Sequence, residues 1–164
     1  MSGERIFRDP AFLRAPLERA RAERGAVVLA NGIFDILHVG HIRYLEGAAA
    51  LGGVLVVALN DDASARALKG AGRPVVPAAE RAEMLAALRV VDFVLIFGGA
   101  TVDGIIEMLK PDIHAKGTDY TIDTVPELGA ARSVGAKTVI VGDAKRHSSR
   151  DMIERIREGG GGGC

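Results

Sequence analysis

Tryptophan is absent from the 164 residues, and only two tyrosines and five phenylalanines supply aromatic rings. So few flat side chains exclude stacking on single-stranded nucleic acid as the main task. Lysine plus arginine and aspartate plus glutamate number 21 each, so no bulk basic footprint for a nucleic-acid backbone is present either. Any affinity for phosphate must come from local placement of groups. No apolar run approaches the ~18 residues of a membrane helix, and Met1-Ser2-Gly3-Glu4-Arg5 lacks a signal-peptide core. The single cysteine, Cys164, rules out a disulfide within the chain. A cytoplasmic enzyme working on small molecules, with no nucleic-acid or membrane partner, fits these absences.

What is present is an alternation of short apolar runs and helical periodicity, in a chain long enough for one domain with a substantial core. Ala26–Ala30, Val54–Leu59, Asp92–Phe97, Asp112–Ala115 and Lys137–Val141 read as five strands. Between them, Ile42, Leu45 and Ala49 mark a helix that stops at Gly52-Gly53, and Glu80–Leu88 another with Met84, Leu85 and Leu88 inward. Thr101 caps a third carrying Val102, Ile105, Ile106 and Leu109, and Thr124 to Glu127 has the form of a capping box. The expected fold is α/β: a three-layer Rossmann-like domain with a five-stranded parallel sheet, its first and fourth strands adjacent. Residues 26–158 form that domain. Residues 1–25 read as an N-terminal helical extension with Phe12, Leu13, Leu17 and Ala20 on one face, interrupted at Pro10 and Pro16. Residues 159–164 read as a flexible glycine-rich tail with the character of an engineered handle.

Asn31 to His41 lies where the first strand hands over to a helix. A helix start presents unpaired N–H groups and partial positive charge, a ready anion site. Gly40 allows close approach, and the imidazoles of His38 and His41 can donate to phosphate oxygens. Zinc is the other reading of close histidines, but neither a cysteine pair nor a third histidine lies nearby in sequence. Asn60-Asp61-Asp62 follows the second strand at the same sheet edge, where one aspartate can cap the next helix. Residues 68–78 read as a mobile loop bearing Lys69 and Arg73, with Arg81 just beyond. His114 alternates within its strand and reads as structural. Ser148 with Asp151 forms a capping box, so Ser148 and Ser149 open a second helix N-terminus for phosphate.

Gly32-Ile33-Phe34-Asp35 followed by His38-Val39-Gly40-His41 resembles the signature of the cytidylyltransferase-like nucleotidyltransferases. Asn60 to Ser64, Leu68-Lys69-Gly70, Arg73-Pro74 and Lys116 to Tyr120 extend the resemblance, over Ala26 to Ile156, to one branch. That branch is the adenylyltransferase of ADP-heptose synthesis, often the C-terminal domain of a bifunctional heptose kinase/adenylyltransferase. The resemblance implies transfer of AMP from ATP to D-glycero-D-manno-heptose 1-phosphate, with Mg²⁺ carried by ATP and a homodimeric assembly. It implies catalytic contacts from His38, His41 and Lys69, and acceptor contacts from Asp61, Arg73 and Arg81. Nucleotide contacts fall to Gly32, Ile33, Phe34, Asp35, Gly40, Asn60, Lys116, Gly117, Asp119, Tyr120, Ser148 and Ser149. Metal ligands stay open.

Three departures stand out. Ile33 occupies a position where the branch commonly has cysteine. Asp143 falls near an arginine of glycerol 3-phosphate cytidylyltransferases, a charge that Lys145 or Arg146 could replace. No kinase segment accompanies the domain, which implies a stand-alone adenylyltransferase. Cytidylyl transfer to glycerol 3-phosphate or a similar alcohol phosphate, adenylyl transfer to flavin mononucleotide, and a non-catalytic nucleotide-binding module are the alternatives.

Overall fold

The computed structural model describes residues 4–144 and 146–159. Lys145 and residues 160–164, which include Cys164 and all but the first residue of the expected tail, lie outside the described residues.

The chain begins with a short strand, β1 (Ile6–Phe7), and a helix, α1 (Pro10–Arg24). Asp9 accepts from the Ala11 N–H at 2.8 Å, Pro10 occupies the first turn, and Gly25 at φ 91° ends the helix. The expected interruption at Pro16 does not occur, and the helix runs through it. Leu13 and Leu17 are buried, whereas Phe12, expected on the same face, is 74% exposed.

Strand β2 (Val27–Gly32) leads through the His-x-Gly-His loop to α2 (Val39–Ala49), β3 (Val54–Asn60), α3 (Asp62–Lys69) and α4 (Ala78–Ala87). Helix α3 therefore takes in Leu68 and Lys69, and the loop begins at Gly70, whose φ of 96° stops the helix. β4 (Phe93–Phe97), α5 (Asp103–Leu109) and β5 (Ile113–Gly117) follow. After a 3₁₀ turn at Ile122–Thr124 come α6 (Leu128–Ser133), β6 (Lys137–Val141) and α7 (Ser149–Gly159).

All neighbouring strands are parallel, in the order β1-β4-β3-β2-β5-β6. The expected first and fourth strands, β2 and β5, are indeed adjacent, with Val28 opposite Ile113 and Ala30 opposite Ala115. Among the described residues, six strands replace the five expected. The sixth is β1, where Ile6 and Phe7 pair with Val94 and Leu95 and the Arg5 side chain donates to the Asp92 carbonyl at 3.1 Å. Two residues carry no periodicity, so this strand exists through its pairing.

Alternation along the strands splits the core between the sheet faces. Val28, Ala30, Leu55, Val57 and Leu59 pack with Leu45 and Ala48 of α2 and with Ala82 and Leu85 of α4. Val27, Leu29, Val54, Val56 and Ala58 pack with Leu13 and Leu17 of α1 and with Ile106 and Leu109 of α5. Every residue of β3 is buried, as a central parallel strand covered on both faces requires. The chain turns to opposite sides of β2 with β3 and β5, which opens a crevice at the carboxyl ends of β2 and β5.

Candidate active site

At that crevice the loop leaving β2 is held in an unusual backbone shape. Phe34 and Ile36 adopt φ of 49° and 54°. Left-handed geometry is uncommon for any side chain and costly for a β-branched one. The strain is retained because the loop is pinned. Asp35 is 2% exposed, and its carboxylate accepts from Val75 N–H at 2.8 Å, Val76 N–H at 3.0 Å and Arg73 Nε at 2.7 Å. Burial pushes the Asp35 carboxyl up, but those donors outweigh it and hold it below the usual range.

The loop delivers His38 to the N-cap of α2. His38 Nδ1 accepts from Gly40 N–H at 3.1 Å, and His41 Nδ1 accepts from His38 N–H at 3.3 Å. The two rings stack with centroids 3.8 Å apart. A side-chain Cβ at Gly40 would stand 3.0 Å from the His38 ring, so a larger residue between the histidines would have to push that ring aside. Phe34 supports the pair from below, its ring 5.4 Å from His41 and 6.2 Å from Tyr44. With each Nδ1 accepting, the proton of each neutral ring resides on Nε2. Two Nε2–H donors therefore stand at a helix N-terminus.

Both histidines are held neutral. Burial, then the neighbouring His147, lowers His38. Burial, then His38, lowers His41 to about 4, with Lys69 pushing the same way and Asp35 opposing.

Helix α7 brings the second N-terminus to the same loop. The Ser149 hydroxyl donates to the Asp35 carbonyl, and Ser148 caps the helix by accepting from Asp151 N–H at 3.1 Å. His147 places its ring 6.4 Å from His38, so a third histidine lies close in space although not in sequence. Among the described residues, no group of three or more His, Cys, Asp or Glu side chains could hold a metal ion.

Gly32, Ile33, Phe34, Asp35, Gly40, Arg73, Ser148 and Ser149 thus gather around the histidine pair. Gly117, Asp119 and Tyr120 close the adjacent end of β5, where Tyr120 N–H donates to the Gly117 carbonyl at 3.2 Å. Lys69 ends α3 with its side chain exposed, and its charge acts on His41.

Other expected contacts are engaged within the protein. Asp61 caps α3 through Ser64 N–H at 2.8 Å, while Asn60 donates to Ser64 Oγ at 3.1 Å and the Gly99 carbonyl at 3.0 Å. Lys116, only 6% exposed, lies 3.5 Å from Glu127 and 4.5 Å from the centre of the Tyr120 ring. The expected acceptor contact at Arg81 is corrected: the residue is 0% exposed. Its guanidinium donates to the carbonyls of Ile33 at 2.6 Å, Asn60 at 3.0 Å and Val76 at 2.8 Å, and to Asp62 at 2.8 Å. It fastens the motif loop to β3 and to the start of α4.

Sequence reasoning placed His147 in the segment with Ser148 and Ser149 and Asn31 at the start of the motif, but assigned neither a role, and it gave Glu127 only a cap. Asn31 Oδ1 meets His114 Nε2 at 2.9 Å and Lys116 Nζ at 3.5 Å, joining β2 to β5 beneath the crevice. Glu127, read as part of a cap, is instead buried against Lys116, and the capping box forms between Thr121 and Thr124.

No helix among the described residues is long and apolar enough to cross a membrane. The cytidylyltransferase-like family model matches residues 29–155. The bifunctional protein HldE of Syntrophotalea carbinolica is 44% identical over 88% of this chain, and that of Geotalea uraniireducens 46% over 87%. The match spans only 29% of the length of each of these two relatives. Among solved structures, the lipopolysaccharide core biosynthesis protein of Thermoplasma volcanium superposes with a TM-score of 0.62 at 29% identity, covering 73% of this chain and 98% of that one. The pantothenate synthetase of Thermus thermophilus shares the fold, with a TM-score of 0.67 at 18% identity over 91% of this chain and 67% of that one. With its motif loop, both helix N-termini and nearly all of its sheet inside the matched span, the chain belongs to the cytidylyltransferase-like family and is a nucleotidyltransferase.

Proposed function

We propose that the chain transfers AMP from ATP to D-glycero-D-manno-heptose 1-phosphate, releasing pyrophosphate and forming an ADP-heptose. The observation that carries the chemistry is the stacked His38–His41 pair, with both Nδ1 atoms engaged and both Nε2–H groups left to donate at the start of α2. The branch is supported by the two bifunctional HldE relatives and by the Thermoplasma lipopolysaccharide core biosynthesis protein. Asp143 supports the same branch: it accepts from Arg43, where a cytidylyltransferase for glycerol 3-phosphate would offer an arginine of its own.

The acceptor's phosphate dianion is already a nucleophile, so the site needs no general base. It attacks the α-phosphorus, and the bond to the bridging oxygen of the leaving pyrophosphate breaks. The protein's share is alignment and stabilisation of charge on the α- and β-phosphates. His38 and His41 supply neutral donors for that charge. The first turn of α7, with Ser148 and Ser149, takes the outer phosphates, and Lys69 adds positive charge from the end of α3. Lys116, braced by Glu127 and Tyr120, shapes the floor on the nucleotide side.

Magnesium enters with the triphosphate in this reading. Asp35 is saturated by three donors, so the residues present fit an ion that keeps most of its ligands from phosphate oxygens and water. Asp119, exposed at the end of β5, is the carboxylate that would share in holding it. Once bound, the ion neutralises charge on the triphosphate. Incubation of the chain with ATP, Mg²⁺ and heptose 1-phosphate should yield ADP-heptose and pyrophosphate in equal amounts. Absence of both products, from protein that still binds ATP, would refute the assignment.

A further inference from the structure

A cavity of about 230 Å³ lies between the segment after Gly70 and the side of α7, bordered by Arg73, Val75, Arg150, Ile153, Glu154 and Arg157. None of His38, His41, Ser148 or Ser149 lines it. We propose that this cavity is a binding site for a phosphate-class oxyanion, and that an anion held there fastens α7 to the Ala71–Val75 segment.

Arg150, Glu154 and Arg157 recur at i, i+4 and i+7, so they share one face of α7. Arg73 approaches from the opposite wall. Its Nε is committed to Asp35, and among the described residues its two terminal nitrogens make no hydrogen bond. Arg150 and Arg157 likewise have no hydrogen bond or ion pair among the described residues. Three guanidinium groups thus face one small space with a single carboxylate, Glu154, among them. In a chain whose formal charges balance, this is a local excess of unpartnered donors. Guanidinium forks match the paired oxygens of phosphate, and Val75 and Ile153 supply the apolar part of the walls between them.

Among the described residues, helix α7 is only lightly anchored, with Met152 and Ile153 half-buried. None of its residues is buried, and Ile156 is 68% exposed. Its tie to the rest of the molecule is concentrated at Ser149, through the Asp35 carbonyl. An anion between the terminal nitrogens of Arg73 and the arginines of α7 would draw the two walls together.

The anion could be free phosphate or pyrophosphate, or the phosphate of a bound nucleotide or sugar, and the test separates them. Inorganic phosphate, pyrophosphate, ATP and glucose 1-phosphate are titrated calorimetrically into the full chain and into R150Q/R157Q, both exposed positions. The wild type should bind pyrophosphate, and the double variant should bind it at least tenfold more weakly. E154Q, which removes the opposing carboxylate, should bind it several-fold more tightly. Hydrogen exchange of the α7 amides should slow with pyrophosphate in the wild type and stay unchanged in R150Q/R157Q. A loss confined to phosphate and pyrophosphate assigns the site to the free anion, whereas a loss shared by ATP or glucose 1-phosphate assigns it to a substrate phosphate. H41A should retain the site whatever its turnover, so the outcome is independent of the transfer chemistry. Equal affinity of wild type and R150Q/R157Q for every one of these anions would overturn the proposal, as would no binding of any of them.

Discussion

Neutral histidines define how the motif can work at the level of single residues. His38 and His41 accept backbone N–H groups through Nδ1, and burial keeps both below the ordinary histidine range. In the proposed transfer they would therefore serve as dipolar donors and not as cations. Replacing either by alanine should lower kcat by ~10²–10³ while KM moves little, because the donation matters most as charge develops in the transition state. Near-normal kcat would reduce the pair to a structural turn. The pH profile offers a second check. Protonation of His41 places a hydrogen on Nδ1 against the His38 N–H, so the rate should be level above pH 6.5 and fall toward its value of about 4. A rate that declines as pH rises through 6.5 would mean the charged form is the active one. The histidine pair was legible in the sequence because its spacing and the strand before it are local facts. Arg81 was not, because an arginine near a loop reads as surface. Its signal lay in helical spacing, since Arg81 sits on the same inward face as Ala78, Ala82 and Leu85.

Elements fix where those residues stand, and two junctions carry this load. The first is the start of α4, where Arg81 holds three carbonyls from separate segments. Arg81→Met keeps the volume but leaves buried carbonyls without donors, so chemical denaturation should show a loss of ~2–4 kcal/mol. Unchanged stability would place the guanidinium outside the fold's support. The second is the seam between β5 and β2, where His114 is wholly buried and meets Asn31. Burial lowers His114 to about 4, helped by Lys116. The unfolded chain therefore binds a proton that the folded one refuses between pH 6.5 and 4, and stability falls as pH falls through that window. Between pH 7 and 5 the loss should be on the order of 2 kcal/mol, seen as a drop in Tm that H114Q lessens. An equal drop in H114Q would assign the acid sensitivity elsewhere. The five longer strands were legible because continuous apolar runs bounded by turns need no tertiary information. Strand β1 was not, since only its partner β4 defines it.

On the scale of the whole molecule, strand order was legible where crossover rules act and silent where assembly begins. The adjacency of β2 and β5 follows from right-handed strand–helix–strand units. Association does not follow from such rules. The resemblance implies a homodimer, and the 74% exposed Phe12 on α1 and the 45% exposed Met108 on α5 leave apolar surface outside the core. Sedimentation at micromolar concentration, with Cys164 reduced or replaced so that thiol pairing cannot imitate assembly, should give the mass of a dimer. A monomer under those conditions would contradict it.

Base and acceptor choice belong to the assembled crevice as a whole, where one or two hydrogen bonds to the base suffice. A buried polar group left unpaired by the wrong base can cost ~10⁴-fold in kcat/KM. Pyrophosphate release should therefore be measured for ATP, CTP, GTP and UTP, each against heptose 1-phosphate, glycerol 3-phosphate and flavin mononucleotide. ATP with heptose 1-phosphate should exceed every other pairing in kcat/KM. A preference for CTP with glycerol 3-phosphate would contradict the proposed adenylyl transfer.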